Sequence, residues 1–110
     1  ANNIIIDVGH NTLAASSVAD ALSEGKYVIV YNSYKDKNYE EILKIIKPIA
    51  LHVEIIEIDD ERAEVIEELQ STLNKLEIKY NKFREIKPEC NYLVFGSFSV
   101  VEAFLREYNE

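Results

Sequence analysis

The sequence predicts an α/β fold: a three-layer, Rossmann-like domain with a mainly parallel sheet and helices on both faces. Short runs of branched and aromatic apolar residues alternate with amphipathic segments, which is the pattern of repeated strand–helix–strand units. The first run, Ile4-Ile5-Ile6, is continuously apolar, as expected of a strand buried on both faces. We therefore expect a sheet of about five to six strands with right-handed crossovers.

The strands are predicted from short apolar runs bounded by polar or turn-forming residues. They are residues 4–6, 27–31, 53–58 and 92–95, with a further edge strand within 78–83. Segments with apolar residues at helical spacing follow these runs, at residues 14–22, 39–49, 65–76 and 100–108. Asn11 or Thr12 can cap the first helix, and Asp59 or Asp60 can cap the third.

The composition indicates one globular domain located in the cytoplasm. A chain of 110 residues with 47% apolar content can bury one core and leaves little room for a second. The net charge of −8 argues against nucleic-acid binding, which relies on Lys and Arg to neutralise phosphates. We expect no membrane association and no signal peptide, because no apolar run is long enough for either. Cys90 is the only cysteine, which rules out an internal disulfide and fits a reducing compartment. We expect a monomer.

Several common catalytic motifs are absent from the sequence. There is no G-x-x-x-x-G-K-[ST] phosphate-binding loop and no G-x-G-x-x-G dinucleotide fingerprint, and the chain has only three glycines. A G-x-S-x-G nucleophile elbow is also missing. His10 and His52 are far apart in sequence, so we expect no metal site built by this chain, and a structural role for His52.

Three polar loops follow predicted strands, and we expect them to gather along one edge of the sheet. They are residues 7–11, 32–38 and 96–99. Open α/β sheets bind ligands at the carboxyl ends of their strands, so this edge is the candidate site. Asp7 and His10, on either side of the permissive Gly9, would project into the same crevice.

Each candidate residue also has an ordinary structural interpretation. Asp7 can hydrogen-bond the backbone of its own turn, and His10 can be a surface residue at a helix start. Ser97 can be an N-cap, and residues 35–37 can form a solvated loop. Tyr34 is expected to be a packing residue. Spacing alone leaves both interpretations open.

Three segments, taken together, resemble one enzyme family. The string I-I-I-D-V-G-H-N-T, residues 4–12, resembles the D-x-A-H-N-P segment that opens the C-terminal domain of the Mur ligase superfamily. Within that superfamily it is most similar to folylpolyglutamate synthases and their bifunctional dihydrofolate synthase relatives. Residues 34–43 resemble the family's D-K-D loop and helix, and residues 93–101 resemble its closing G-S turn. The resemblance runs over residues 3–105.

The resemblance implies an ATP-dependent amide ligase. Such enzymes convert a carboxylate to an acyl phosphate, which the amino group of glutamate then attacks. ATP and Mg²⁺ are bound mainly by a preceding central ATPase domain, which this chain lacks. Residues 1–110 would then form the single C-terminal domain, which closes over ATP and the amino-acid acceptor and is inactive by itself. The implied partners are that central domain, ATP, glutamate and folate.

The resemblance also implies roles for the first loop. Asp7 would hydrogen-bond the ribose of ATP. His10 would lie near the γ-phosphate and the incoming amine as a catalytic residue. Asn11 would orient His10.

The other two loops are implied to bind glutamate. Lys37 would bind or neutralise the anionic substrate, with Asp36 as a further candidate. Ser97, at the start of a helix, would receive the glutamate carboxylate.

Two alternatives stay open at this point. Thr12 stands where the family usually has Pro, Gly9 where Ala is common, and Asn38 where the second Asp of D-K-D would fall. The chain can therefore also be the C-terminal domain of a peptidoglycan Mur ligase. A different class of protein, a non-enzymatic flavodoxin-like module that binds a nucleotide or a protein, would have the same fold.

Overall fold

The computed structural model describes residues 3–108, in which strands and helices alternate. The strands are β1 (Ile4–Asp7), β2 (Tyr27–Tyr31), β3 (Ala50–Ile55), β4 (Tyr80–Lys82) and β5 (Tyr92–Phe95). The α-helices are α1 (Thr12–Ala21), α2 (Tyr39–Ile46), α3 (Ile66–Lys75) and α4 (Phe98–Tyr108), and a 3-10 turn, Lys47–Ile49, follows α2. The predicted α/β class is confirmed.

The strands of the described chain all run parallel, in the order β1-β5-β2-β3-β4. The last strand in sequence, β5, lies between β1 and β2, so that Leu93 pairs with Ile5 on one side and Ile29 on the other. The predicted edge strand is present as β4, which pairs with β3. Because the strands are parallel, the loops after β1, β2 and β5 leave the sheet at the same edge.

Helices cover the sheet on both faces, which produces the three layers. On one face α1, α2 and α3 pack against strand residues such as Ile29 and Leu93. On the other face lie α4 and the segment before β5, where Phe104 is fully buried and its ring centroid is 5.8 Å from that of Phe83. Each buried side chain of this size stabilises the fold by about 1.5–3 kcal/mol.

Three predicted details of the elements differ from the structure. β1 is not buried on both faces, because it lies at the edge of the sheet and Ile6 is 43% exposed. β3 spans Ala50–Ile55 rather than 53–58, because its hydrogen-bonding partner β2 ends opposite Ile55. The expected cap of α3 by Asp59 or Asp60 is wrong, since Val65 occupies the N-cap position and makes no side-chain hydrogen bond there. None of the helices formed by residues 3–108 combines the length and the apolar character needed to cross a bilayer.

Candidate active-site cleft

A cleft of about 410 Å³ lies at the carboxyl edge of the sheet. The residues that line it come from all three expected loops and from one further segment: Val8, His10, Tyr34, Ser97, Phe98 and Arg62. The structure thus brings the three loops together, as the strand pattern predicts. Arg62, from the segment after β3, is the lining residue that the sequence patterns did not indicate.

A larger open groove, of about 800 Å³, lies between the end of α3 and the strands β3 and β4. Its lining includes His52 and Tyr80 and contains none of the predicted site residues. His52 Nε2 shares a hydrogen bond of 2.8 Å with the carboxylate of the buried Glu54. His52 therefore has the structural role expected of it.

The turn after β1 is held by the side chain of Asp7. Asp7 Oδ1 accepts a hydrogen bond of 2.7 Å from the backbone N–H of Gly9. A side chain at Gly9 would not fit, because its Cβ would lie 2.5 Å from Ala14 Cβ and 2.8 Å from Asp7 Oδ1. Asp7 Oδ2 has no partner within residues 3–108. One oxygen of this carboxylate thus shapes the turn, and the other can contact a ligand.

His10 and Asn11 occupy the start of α1 but differ in their surroundings. Asn11 is the N-cap, and its Oδ1 accepts a hydrogen bond of 2.8 Å from the backbone N–H of Ala14. This confirms one of the two predicted caps. The His10 side chain is exposed, lines the cleft and makes no hydrogen bond within the described chain. The expected role of Asn11 in orienting His10 stays a prediction.

Ser97 lines the cleft where β5 turns into α4. The residue is buried, and its Oγ accepts a long hydrogen bond of 3.4 Å from the backbone N–H of Val100. The preceding Gly96 has φ +145°, and a Cβ there would lie 2.5 Å from the carbonyl oxygen of Asn32. Ser97 is therefore held in a tight turn and acts as a cap while it faces the cleft.

Lys37 and Asp36 lie outside the cleft lining. The backbone N–H of Lys37 donates to the carbonyl of Tyr34 at 3.2 Å, which closes a turn after β2. The side chain of Lys37 is half-buried and that of Asp36 is exposed. The structure thus separates these two candidates from His10 and Ser97, although all four come from loops at the same edge.

Four side chains border the cleft on the side of β3, and we call them the Arg62 clamp: Tyr34, Asp60, Arg62 and Ser99. Asp60 accepts hydrogen bonds from Arg62 Nε at 3.1 Å and from Arg62 Nη2 at 2.9 Å. Arg62 Cζ lies 4.3 Å from the centroid of the Tyr34 ring, and Nη2 donates to Tyr34 Oη at 3.3 Å. The hydroxyls of Tyr34 and Ser99 are 2.5 Å apart. Tyr34 is therefore buried as expected, but its hydroxyl belongs to a polar network.

The charges of the Arg62 clamp stabilise each other. Hydrogen bonds from the side chain and backbone of Arg62 hold the pKa of Asp60 well below its usual range. In return, the hydrogen bonds to Asp60 raise the pKa of Arg62, with a smaller contribution from the charge of Asp36. Asp60 is therefore ionised at neutral pH, and the pair acts as a fixed dipole beside the cleft.

One signal in the sequence could have pointed to Arg62. The residue is the single basic side chain within the acidic stretch 54–68. A lone cation among many carboxylates has several possible partners, so the sequence does not reveal which one it contacts. It reaches the cleft in the folded chain through the turn from Asp60 to Arg62 and through backbone contacts with the loop after β2, among them the bridge between Tyr34 and Ala63.

The polar side chains at the cleft define what it offers a ligand. Within residues 3–108 no group of three or more His, Cys, Asp or Glu side chains is placed to hold a metal ion. The lining residues with polar side chains are His10, Tyr34, Arg62 and Ser97, and Asp7 is not among the residues that line the cleft. These groups fit parts of a nucleotide or an amino acid, but they form no phosphate cradle of the kind that glycine-rich loops supply.

The parallel sheet and the cleft at its carboxyl edge define a Rossmann-like α/β domain, a class whose ligands usually bind at that edge. Comparison with solved structures points to a particular family. A folylpolyglutamate synthetase from Helicobacter pylori matches with a TM-score of 0.95 and 37% sequence identity, over 99% of this chain and 30% of that one. The predicted resemblance to the C-terminal domain of folylpolyglutamate synthases is therefore confirmed.

Two further structures share the fold at lower identity. Escherichia coli FolC in complex with ADP has a TM-score of 0.79 and 21% identity, over 96% of this chain and 29% of that one. A bifunctional folylpolyglutamate synthase/dihydrofolate synthase from Yersinia pestis has a TM-score of 0.78 and 20% identity, over 94% and 28%. No protein-family model matches the chain, and a search of the curated protein sequences gave no match. The chain thus spans less than a third of each of these synthases.

Proposed function

We propose that this chain is the C-terminal domain of an ATP-dependent ligase that adds glutamate to folates through an acyl phosphate. The observation that carries the proposal is the 37% identity with the Helicobacter pylori folylpolyglutamate synthetase over 99% of the chain. The placement of His10 and Ser97 on one cleft supports it, because a ligase of this kind must bring an amine and an activated acyl group together.

The remaining domains of the polypeptide would bind most of the nucleotide and the metal. The chain spans 30% of the Helicobacter pylori protein, which leaves room for a central ATPase domain with a phosphate-binding loop. A Yersinia pestis relative was solved with AMPPNP and a Mn ion, and Escherichia coli FolC with ADP. ATP bound with Mg²⁺ would supply the phosphoryl group that activates the folate carboxylate. This chain would add contacts from one side when the domains close.

His10 and Asp7 are the residues through which the chain would act on the nucleotide side. The imidazole of His10 is exposed in the cleft, so it can accept a proton from the attacking amine or, when protonated, offset developing negative charge. Asp7 Oδ2 can accept a hydrogen bond from a ribose hydroxyl while Oδ1 holds the turn. Asn11 would keep His10 in place, since it fixes the first turn of α1.

Ser97 and Lys37 would contribute on the side of the amino acid. Ser97 Oγ lies at the cleft at the start of α4, where the helix dipole favours a carboxylate. Lys37 and Asp36 lie outside the cleft, so they would reach substrate only when domain closure brings the substrate to the exposed part of the loop after Tyr34.

Comparison of the two histidines of the chain tests the proposal. In the full polypeptide, His10→Gln is expected to lower kcat by about 100-fold or more, because the general acid–base group is lost. His52→Gln is the matched control, since His52 lies in the other groove and glutamine can still bond Glu54. The measurement is phosphate release that depends on both glutamate and a reduced folate.

The outcomes separate the three candidate functions. Folate-dependent turnover that His10→Gln abolishes and His52→Gln leaves intact supports the proposal. Turnover with a cell-wall precursor in place of folate identifies a peptidoglycan Mur ligase. Absence of both activities in the wild type points to a non-enzymatic module.

The isolated chain is expected to be inactive. Each cleft residue contributes one contact to a reaction between groups that different domains hold, so closure is needed to position them and to exclude water. ATP hydrolysis by the 110-residue chain alone, measured as phosphate release, would contradict this proposal.

A further inference from the structure

Arg62 is held more firmly than an exposed arginine usually is. Two of its nitrogens bond the two oxygens of Asp60 at 3.1 and 2.9 Å, and its guanidinium stacks on the Tyr34 ring at 4.3 Å. A free arginine side chain has several rotatable bonds and loses their entropy when it binds. Here much of that entropy is already lost in the folded protein, so Arg62 is preorganised to bind.

The groups behind Arg62 are fixed by contacts with other parts of the fold. Tyr34 is buried, and its hydroxyl lies 2.5 Å from Ser99 Oγ on α4. Ser99 Oγ in turn donates to Asp60 Oδ2 at 3.4 Å. The clamp therefore connects the loop after β2, the segment after β3 and the first turn of α4, and it presents the guanidinium to the cleft.

The guanidinium of Arg62 has hydrogen-bond donors that remain available at the cleft. Arg62 lines the cleft, and its Nη1 makes no hydrogen bond within residues 3–108. Nε and Nη2 already donate to Asp60 and Tyr34, so the two N–H groups of Nη1 are the donors that Arg62 has left for an oxyanion. A partner for Arg62 is therefore an oxyanion that enters the cleft beside His10.

The charge balance favours a carboxylate over a polyphosphate. Asp60 already offsets the positive charge of Arg62, and the chain as a whole carries −8. A carboxylate carries one negative charge, whereas a triphosphate carries several and would meet one guanidinium here that is already paired. Val8 and Phe98 add apolar walls, which suit the short hydrocarbon part of an amino acid.

We propose that Arg62 binds a carboxylate of the amino-acid acceptor, and that Asp60 and Tyr34 are positioning residues that hold its guanidinium. This proposal rests on the ligase function proposed above, and it assigns the binding of glutamate to a residue outside the three loops that carry the family resemblance. Lys37, the cation expected to fill this role, does not line the cleft.

Steady-state kinetics of the full polypeptide tests the proposal. Arg62→Gln is expected to raise the KM for glutamate roughly 10- to 100-fold, which is the usual effect of losing hydrogen bonds to a charged group. The KM values for ATP and for folate should stay within about twofold. Arg106→Gln is the matched control, because Arg106 is also exposed and paired with a carboxylate, that of Glu102, but lies on α4 away from the cleft. It should leave all KM values unchanged.

The positioning residues give a second readout. Tyr34→Phe keeps the ring under the guanidinium but removes the hydroxyl, so it should raise the KM for glutamate less than Arg62→Gln does. Arg62→Lys keeps the charge but loses the planar guanidinium that Asp60 and Tyr34 hold in place, and it should fail to restore the wild-type KM. An unchanged KM for glutamate in Arg62→Gln overturns the proposal. A rise confined to the KM for ATP or for folate overturns it as well, since the anion then belongs to another substrate.

Failure of the ligase function is distinguishable from failure of the Arg62 proposal. If the wild type shows no turnover that depends on glutamate and folate, the ligase function fails. The carboxylate site is then decided by NMR of the same polypeptide with isotope-labelled arginine, titrated with glutarate. A saturable shift of the Arg62 side-chain signal, absent from Arg106, supports a carboxylate site. An equal response of both arginines overturns it.

Discussion

The turn after β1 and the Arg62 clamp border the same cleft, but they are built by different kinds of contact. In the turn, Asp7 bonds Gly9 and Asn11 bonds Ala14, so every side-chain hydrogen bond closes within a few residues. In the clamp, Tyr34 bonds Ser99 and stacks on Arg62, which joins segments far apart in sequence. The turn can therefore be recognised from a short sequence motif, whereas the contacts of the clamp can be identified only in the folded structure.

This difference also determines what a substitution would do. A change in the turn is expected mainly to lower the stability of the fold, because the space around Gly9 is too small for an added side chain. A change in the clamp is expected mainly to displace the Arg62 side chain, because the clamp is partly exposed and borders one side of the cleft. The following variants test that contrast in decreasing order of effect.

Gly9→Ala is expected to lower the free energy of unfolding by about 1–3 kcal/mol through overpacking of the turn. The added Cβ would lie 2.5 Å from Ala14 Cβ and 3.2 Å from the Phe95 ring, and neither belongs to a flexible chain end. Urea unfolding measures the loss. Gly25→Ala is the control, since its Cβ would first meet the Tyr27 ring at 3.0 Å, which can shift. Equal stability of Gly9→Ala and the wild type would contradict a tight turn.

Asn11→Ala is expected to cost about 1 kcal/mol of stability, because the N-cap hydrogen bond to Ala14 is lost. Asn11→Ser retains a capping oxygen and should restore most of the stability. The pair also separates capping from the proposed catalytic role. If Asn11 orients His10, Asn11→Ser will keep the melting temperature but lower kcat; if kcat is retained as well, Asn11 acts only as a cap.

Tyr34→Phe is expected to lower stability by about 0.5–1.5 kcal/mol, the usual net value of one hydrogen bond. The hydroxyl that Ser99 and Arg62 contact is removed, while the buried ring remains. Ser99→Ala removes the other partner of the same bond. A double-mutant cycle by thermal unfolding should give non-additive losses, and additive losses would show that the two hydroxyls act independently.

The pH dependence of the clamp should be small and confined to acid. The folded-state pKa of Asp60 is depressed by Arg62, so the pair contributes stability above the unfolded carboxyl pKa of about 3.9. That contribution disappears as the pH falls further, through the lower folded-state value. The melting temperatures of the wild type and Asp60→Asn should therefore differ at neutral pH and converge in acid. A difference that grows below pH 4 would contradict this sign, and a small size is expected because exposed ion pairs are weak.

The sequence predicts the central elements well because burial determines their composition. The strands at Tyr27–Tyr31 and Tyr92–Phe95 lie in the middle of the sheet, and the apolar runs mark both ends of each. The prediction for β3 is shifted because apolar residues such as Ile56 and Ile58 continue past its last pair and pack beside α4 instead. An apolar run therefore indicates buried residues, and it indicates a β-strand only where a neighbouring strand extends alongside to pair with it.

The candidate site is predicted only as far as its loops carry a local pattern. Asp7, His10 and Ser97 follow strands directly, so their common edge is a consequence of parallel topology. Arg62 reaches the cleft because its segment folds back beside Tyr34, through the backbone bond from Lys35 to the Arg62 carbonyl. Hydrophobic periodicity in the sequence does not indicate that these two segments come together, so it does not predict the Arg62 clamp.

Because β5 lies between β1 and β2, formation of the cleft depends on the order in which the strands are synthesised. β1 pairs with β5, which the ribosome produces last among the strands, and β2 borders β5 as well. Pairings between such distant parts of a chain form slowly, because a long loop must close first. The loops that carry His10 and Tyr34 are thus brought together only after Tyr92–Phe95 has been inserted. A chain that ends before β5 is therefore expected to lack the cleft.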